Sequence, residues 1–164
     1  MSSNEPGFET LAIHAGAQPD PATGARSTPI YQTTAFVFDD VDHAASLFGL
    51  QAFGNIYTRL MNPTNAVLEK RVAALEGGIG ALATSAGSAA IHYAVLTIAE
   101  AGNNIVSTPL LYGGTFTLFT HLFSKMGIEA RFAEDGSPES LEKLIDEKTS
   151  LVFCESISNP VGAL

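Results

Sequence analysis

From residue 63 to the end of the chain, short apolar runs alternate with helical stretches and glycine stands at nearly every switch, a pattern that very few folds accommodate. Asn62-Pro63 supplies a capping side chain followed by a proline suited to the first helical position. Val67, Leu68, Val72 and Leu75 then fall on one helical face, and Gly77-Gly78 ends the element. The run 79–84 reads as a short buried strand, after which Ser85-Ala86-Gly87-Ser88 opens an alanine-rich helix that reaches about Ala101 and stops at Gly102. Residues 105–108 read as a strand. Phe116, Phe119, Leu122, Phe123 and Met126 form a helical stripe ending at Gly127, and 128–133 reads as a third strand. Ser137-Pro138 opens a further helix with Leu141, Leu144 and Ile145 turned inward, and 151–154 is the last strand. Strands that alternate with helices in this way imply right-handed crossovers and an α/β fold with a largely parallel sheet under flanking helices.

Residues 1–62 differ. Gly, Pro, Asp and Thr recur there without a sustained period, which makes turns and little core. The segment is a disordered tail or an ordered arm lying on a partner, and Tyr31, Phe36, Phe38, Phe48, Phe53 and Tyr57, more aromatics than tails carry, favour the arm for 1–62, with 63–164 as the first part of an α/β domain. At the other end, Glu155-Ser156 and Asn159-Pro160-Val161-Gly162 look like the turn that precedes a further helix. A buried parallel strand needs cover on both faces, so the chain is expected to be cut in mid-fold.

Composition narrows the function. The net charge is −9, with 8 Lys and Arg against 17 Asp and Glu, so clustered cations for a phosphate backbone are lacking and nucleic acid is not an expected partner. Only 15% of the residues are charged and 46% are hydrophobic, which suggests surface meant to be covered by other protein. Between Glu76 and Glu100 no residue is charged, long enough to span a bilayer, yet Thr84-Ser85-Ala86-Gly87-Ser88 and His92 interrupt it as a loop would. The single cysteine, Cys154, fits a reducing compartment, and the polar, acidic start is not a signal peptide; a cytoplasmic protein is expected. Cys154 on its apolar strand reads as a buried thiol. His14, His43, His92 and His121 lack ligand-like spacing, and no metal is expected.

Ligands of a parallel sheet bind where strands feed helix N-termini. The loop at Ser85 to Ser88 could present backbone N–H groups and a helix dipole to a phosphate, or be a tight turn capped by Ser85 or Ser88. Leu111-Tyr112-Gly113-Gly114 offers a ring that could stack on a planar ligand, or a turn tyrosine. Arg59, beside Tyr57 and Thr58, offers a fork for phosphate or carboxylate, or is a solvated surface residue. No GxGxxG, GxxxxGK or GxSxG stands anywhere in the chain.

Taken together, Gly24-Ala25-Arg26-Ser27-Thr28-Pro29-Ile30-Tyr31-Gln32-Thr33-Thr34, Phe53-Gly54-Asn55-Ile56-Tyr57-Thr58-Arg59-Leu60-Met61-Asn62-Pro63-Thr64, Leu75-Glu76-Gly77-Gly78, Ser85-Ala86-Gly87, Leu111-Tyr112-Gly113-Gly114, Glu155-Ser156 and Asn159-Pro160 resemble the N-terminal part of the Cys/Met-metabolism enzymes that use pyridoxal 5′-phosphate. With Leu47-Phe48-Gly49-Leu50 ahead of Phe53-Gly54-Asn55, the chain looks most like the branch that sulfhydrylates O-acetylhomoserine. The resemblance implies a fold-type I transferase, a homo-oligomer in which dimers pair into tetramers, and γ-replacement on small amino-acid substrates. The cystathionine enzymes and γ-lyases of the same family are the alternative, as is a noncatalytic truncated chain. It also implies that Gly87 and Ser88 hold the cofactor phosphate and that Tyr112 stacks on the ring. Tyr57 and Arg59 would reach the phosphate in the neighbouring subunit, and Asn159 would lie near the ring hydroxyl with Glu155 behind it. Tyr112 and Tyr57 are the candidate catalytic side chains. Two departures stand out. Ser88 replaces the usual Gln or Met, and Ala86 replaces a frequent Ser. None of Lys70, Lys125, Lys143 and Lys148 matches the family's Schiff-base lysine motif, so the 164 residues alone are expected to be inactive.

Overall fold

A computed structural model describes residues 6–164, which fall into two compact units with the boundary between Ala83 and Thr84. The boundary expected at 62/63 lies inside the first unit.

The first unit carries α1 (Phe8–His14), α2 (Val41–Phe48) and α3 (Pro63–Glu76). Helix α3 begins and ends as its sequence predicts: the Asn62 side chain accepts the Thr64 N–H, Pro63 opens the helix, and Gly77 closes it in the left-handed region. The expected apolar stripe is only partly covered. Ala73 is buried, whereas Leu68 and Val72 are exposed, because within this unit α3 packs on α1 through another face. That packing depends on Gly16, whose φ is +75° and where a Cβ would stand 2.7 Å from the Val67 carbonyl oxygen and 2.8 Å from the Lys70 Cβ. Arg71 Nε donates to the adjoining Ala15 carbonyl at 3.0 Å.

The strand expected at 79–84 does not form. Ile79 and Leu82 stay exposed, and the Ala83 N–H goes to the Glu69 carboxylate at 3.0 Å. Apolar residues make a strand only where another strand offers its edge, and among the described residues none does so here.

The second unit holds α4 (Gly87–Ile98), β1 (Asn104–Ser107), α5 (Gly113–Thr117), β2 (Glu129–Phe132), α6 (Pro138–Glu142) and β3 (Thr149–Phe153). The strands form one parallel sheet in the order β2-β1-β3, which matches the predicted α/β alternation. All of β1 is buried. Val95 and Ala99 from the α4 end, with Phe119, Phe123, Ile105 and Ile128, make the core that packs on one sheet face.

Several boundaries shift for local reasons. Helix α4 stops at Ile98 rather than near Ala101, because Asn103 Oδ1 takes the Glu100 N–H at 2.9 Å and turns the chain. The stripe from Phe116 to Met126 is helical, but Leu118–Phe123 widens into a π-helix, where the Thr120 hydroxyl donates to the Phe116 carbonyl at 2.8 Å. Helix α6 is capped by Ser137 as expected but runs only to Glu142, and Ile145 faces solvent. The chain is held there by Asp146, which accepts from Arg131 Nη1 and from Asn104 Nδ2, each at 2.7 Å. Cys154 is exposed rather than buried: it lies one residue past an edge strand, beyond the ladder.

Candidate functional site

Tyr57 and Arg59 belong to the first unit. The extended segment ahead of α3 makes one antiparallel bridge, Ala35 to Tyr57, with Phe36 N–H donating to Ile56 and Thr58 N–H to Thr34. Tyr57 then turns the chain by accepting the Leu60 and Met61 N–H groups at 2.8 and 3.0 Å. The Arg59 guanidinium lies over the Tyr57 ring, 5.5 Å from its centroid, and both side chains are exposed. Together with Phe36, Phe38, Phe48, Ile56 and Leu60 they line an open groove of about 390 Å³.

Asn62 anchors this turn. Its amide nitrogen donates to the Tyr31 carbonyl at 2.9 Å and to Thr58 Oγ1 at 3.1 Å, while its oxygen caps α3. Thr64 adds a bond to the Pro29 carbonyl at 2.8 Å and receives the Tyr31 N–H at 3.0 Å. One cap therefore fixes both the helix and the segment that carries Tyr57 and Arg59.

The other candidates lie in the second unit. Gly87 and Ser88 form the first turn of α4, both exposed. Neither Ser85 nor Ser88 caps the helix: the N-cap is Ala86, with no side-chain bond. The capped-turn reading therefore fails. The first-turn N–H groups of Gly87, Ser88 and Ala89 precede any intrahelical acceptor, and a Cβ at Gly87 would meet nothing within 4 Å. Unclaimed donors, an open approach and the positive end of a helix suit an anion. Ser88 also lines a groove of about 350 Å³ with Gly114, Thr117, Leu118, His121 and Lys125.

Tyr112 is the N-cap residue of α5 and half exposed, so it is not a core tyrosine. Its ring lies against Gly114, where a Cβ would stand 2.5 Å from Cε1. Glu155, just past β3, accepts the Tyr112 N–H at 3.0 and 3.2 Å through its two oxygens and the Thr115 hydroxyl at 3.2 Å. Thr115 is a site residue that sequence reasoning passed over, although it directly follows the Gly-Gly pair and its hydroxyl sits in the first helical turn. Asn159 is exposed in the turn beyond β3, which is closed by Ser158: its N–H donates to the Ala163 carbonyl, and its hydroxyl oxygen accepts the Ala163 N–H at 2.9 Å. Among the described residues, no three His, Cys, Asp or Glu side chains gather as a metal site would require, and no helix is long and apolar enough to cross a membrane.

Residues 9–164 match the family model described as Cys/Met metabolism PLP-dependent enzyme. The chain belongs to that family. The resemblance carried by the motifs is thus borne out over nearly the whole chain. Among relatives of this family, an O-acetyl-L-homoserine sulfhydrylase of Leptospira meyeri is 55% identical over 152 residues, covering 93% of this chain and 34% of the relative. O-acetyl-L-homoserine sulfhydrylase 1 of Thermus thermophilus is 56% identical over 154 residues, with 93% and 37% covered. The chain thus spans about a third of the length of the curated relatives it matches. A crystal structure from Campylobacter jejuni, described as an O-acetylhomoserine (thiol)-lyase with N′-pyridoxyl-lysine-5′-monophosphate, superposes with a TM-score of 0.91 at 44% identity and covers 98% of this chain and 39% of its own. Cystathionine γ-lyase from Lactobacillus plantarum gives 0.84 at 30% identity, with 97% and 39% covered. The parallel sheet with flanking helices is therefore part of the type I fold of PLP-dependent enzymes.

Proposed function

We propose that this chain belongs to an enzyme of γ-replacement, in which O-acetylhomoserine and sulfide or a thiol give homocysteine or methionine and acetate. Its 55–56% identity to sulfhydrylases acting on O-acetyl-L-homoserine carries this reading. When bound, pyridoxal phosphate supplies the electron sink that acidifies the substrate's Cα and lets the γ-substituent depart.

This chain's residues fit that group. The uncapped N-terminus of α4 offers the Gly87 and Ser88 N–H groups to a phosphate, and the backbone does this whichever side chain stands at 88. The Tyr112 ring, set against Gly114 and half exposed, offers a face on which a pyridine ring can stack. Tyr57 and Arg59 would serve the phosphate of a neighbouring subunit, the arginine by a bidentate fork. Asn159 would meet the ring hydroxyl. A composite site of this kind requires a dimer, the family resemblance favours dimers pairing into a tetramer, and the reducing environment suggested by the lone cysteine points to the cytoplasm.

Because the chain spans a third of its relatives and none of its lysines stands in a Schiff-base motif, we infer that turnover needs a longer protein. The purified 164 residues are expected to form no homocysteine. The full-length natural protein, assayed side by side on O-acetylhomoserine with sulfide, on methionine and on cystathionine, should give homocysteine as the main product. A protein that only eliminates from methionine or cystathionine is a γ-lyase instead, the reading favoured by the likeness to cystathionine γ-lyase.

A further inference from the structure

Glu155 ties the end of β3 to the start of α5, and it does so without a cation, since none of the ion pairs among the described residues includes it. Its carboxylate takes two donors. The Tyr112 N–H opens a helix and has no intrahelical acceptor. The Thr115 hydroxyl belongs to a residue only 1% exposed, so water is no alternative partner. The missing side chain of Gly114 leaves the space that the Tyr112 ring fills. The backbone of Tyr112 is thus held by Glu155, and its ring is seated against Gly114.

We propose that Glu155 is a positioning residue for the Tyr112 ring and not a contact to the cofactor, with Thr115 and Gly114 as its partners in that task. The proposal rests on the reading that Tyr112 stacks on bound pyridoxal phosphate. Glu155 Oε1 reaches both donors at 3.2 Å and Oε2 reaches the Tyr112 N–H at 3.0 Å, so an amide in its place would keep one acceptor but set its NH2 against that N–H.

The test uses the full-length natural protein reconstituted with pyridoxal phosphate, read by the visible circular dichroism of the bound cofactor, by the cofactor dissociation constant and by thermal denaturation of the cofactor-free protein. Glu155→Ala should lose most of the visible dichroism and bind the cofactor roughly tenfold more weakly, the scale of one hydrogen bond to a charged group. Glu155→Gln, which keeps one acceptor and loses the other, should fall between Glu155→Ala and the unsubstituted protein. Gly114→Ala, which displaces the ring while leaving Glu155 intact, should lose the dichroism as well. Thr115→Val provides a second probe if Glu155→Ala does not fold, and it should also weaken the dichroism. Unchanged dichroism and affinity in Glu155→Ala, or in both Gly114→Ala and Thr115→Val, overturn the positioning role. An unsubstituted protein with no visible band at all overturns the cofactor reading, and the positioning role with it.

Discussion

Replacing Asn62 by alanine should unfasten two things at once. The side chain is 6% exposed and makes three hydrogen bonds: its oxygen accepts the Thr64 N–H at the start of α3, and its nitrogen donates to the Tyr31 carbonyl and to Thr58 Oγ1. Loss of the cap costs about 1 kcal/mol. Each of the two donated bonds contributes about 1 kcal/mol net, the one to exposed Tyr31 less because water can replace it. The sum is about 2–3 kcal/mol, or a fall in Tm of about 5–10 °C for a chain of this size. Asn62→Ser restores only the cap, so it should recover about 1 kcal/mol of the loss. Urea denaturation followed by far-ultraviolet circular dichroism measures both, and hydrogen exchange at the Thr58 amide, which bonds Thr34 at 2.9 Å, reports on the Tyr57–Arg59 turn. An alanine variant within about 0.5 kcal/mol of the parent, or a serine variant no better than alanine, would refute the account of Asn62 as a shared anchor.

Three further outcomes follow from the same geometry. Gly16→Ala should destabilise by at least about 1 kcal/mol more than Gly24→Ala, because both positions have positive φ but only at Gly16 does the new methyl meet backbone; equal urea midpoints would contradict this. In the folded chain the Ser137 hydroxyl and N–H hold Asp135 down to about 2, from an ordinary 3.8, and the Arg131 guanidinium, then Asn104, hold Asp146 well below the carboxylate range. Lowered folded values mean that the stabilisation is present above the ordinary value and is lost as pH falls through the folded one, so urea midpoints should be flat near neutrality and drop between about pH 4 and 2. Asp146→Asn should flatten that drop, and a drop of unchanged size would tell against the Arg131 and Asn104 pairing. Arg59→Lys keeps the charge but loses the fork and its seat over Tyr57, and should raise the cofactor dissociation constant of the full-length oligomer roughly tenfold; an unchanged constant would remove Arg59 from the phosphate site.

What could be read from sequence was whatever is decided locally. Asn62-Pro63 and Gly77 announce α3 because caps and left-handed glycines act within a few residues, and the strands at 104 and 149 are largely apolar runs bounded by turns, while that at 129 alternates charged and apolar residues. The run 79–84 is as apolar as these and forms no strand, because pairing is a property of a distant edge. Leu68 and Val72 show the same limit on a helix: period tells which residues share a face, and another element decides whether that face is covered. At the site, the Gly-rich turn at Tyr112 and the loop at Gly87 were visible as motifs. The role of Thr115 was not, since its partner Glu155 is 40 residues away and no pattern in either segment reports the bond.

The strand order β2-β1-β3 sets a timetable for synthesis. The central strand is made first, and both of its neighbours come later in the chain. While a ribosome is still adding residues 108–148, β1 leaves at least one row of backbone donors and acceptors bare, and its apolar side chains wait with them. Asn104, at the start of β1, finds Asp146 and Thr149 only at the end of that interval. Folding of this unit during translation is therefore held back until β3 emerges.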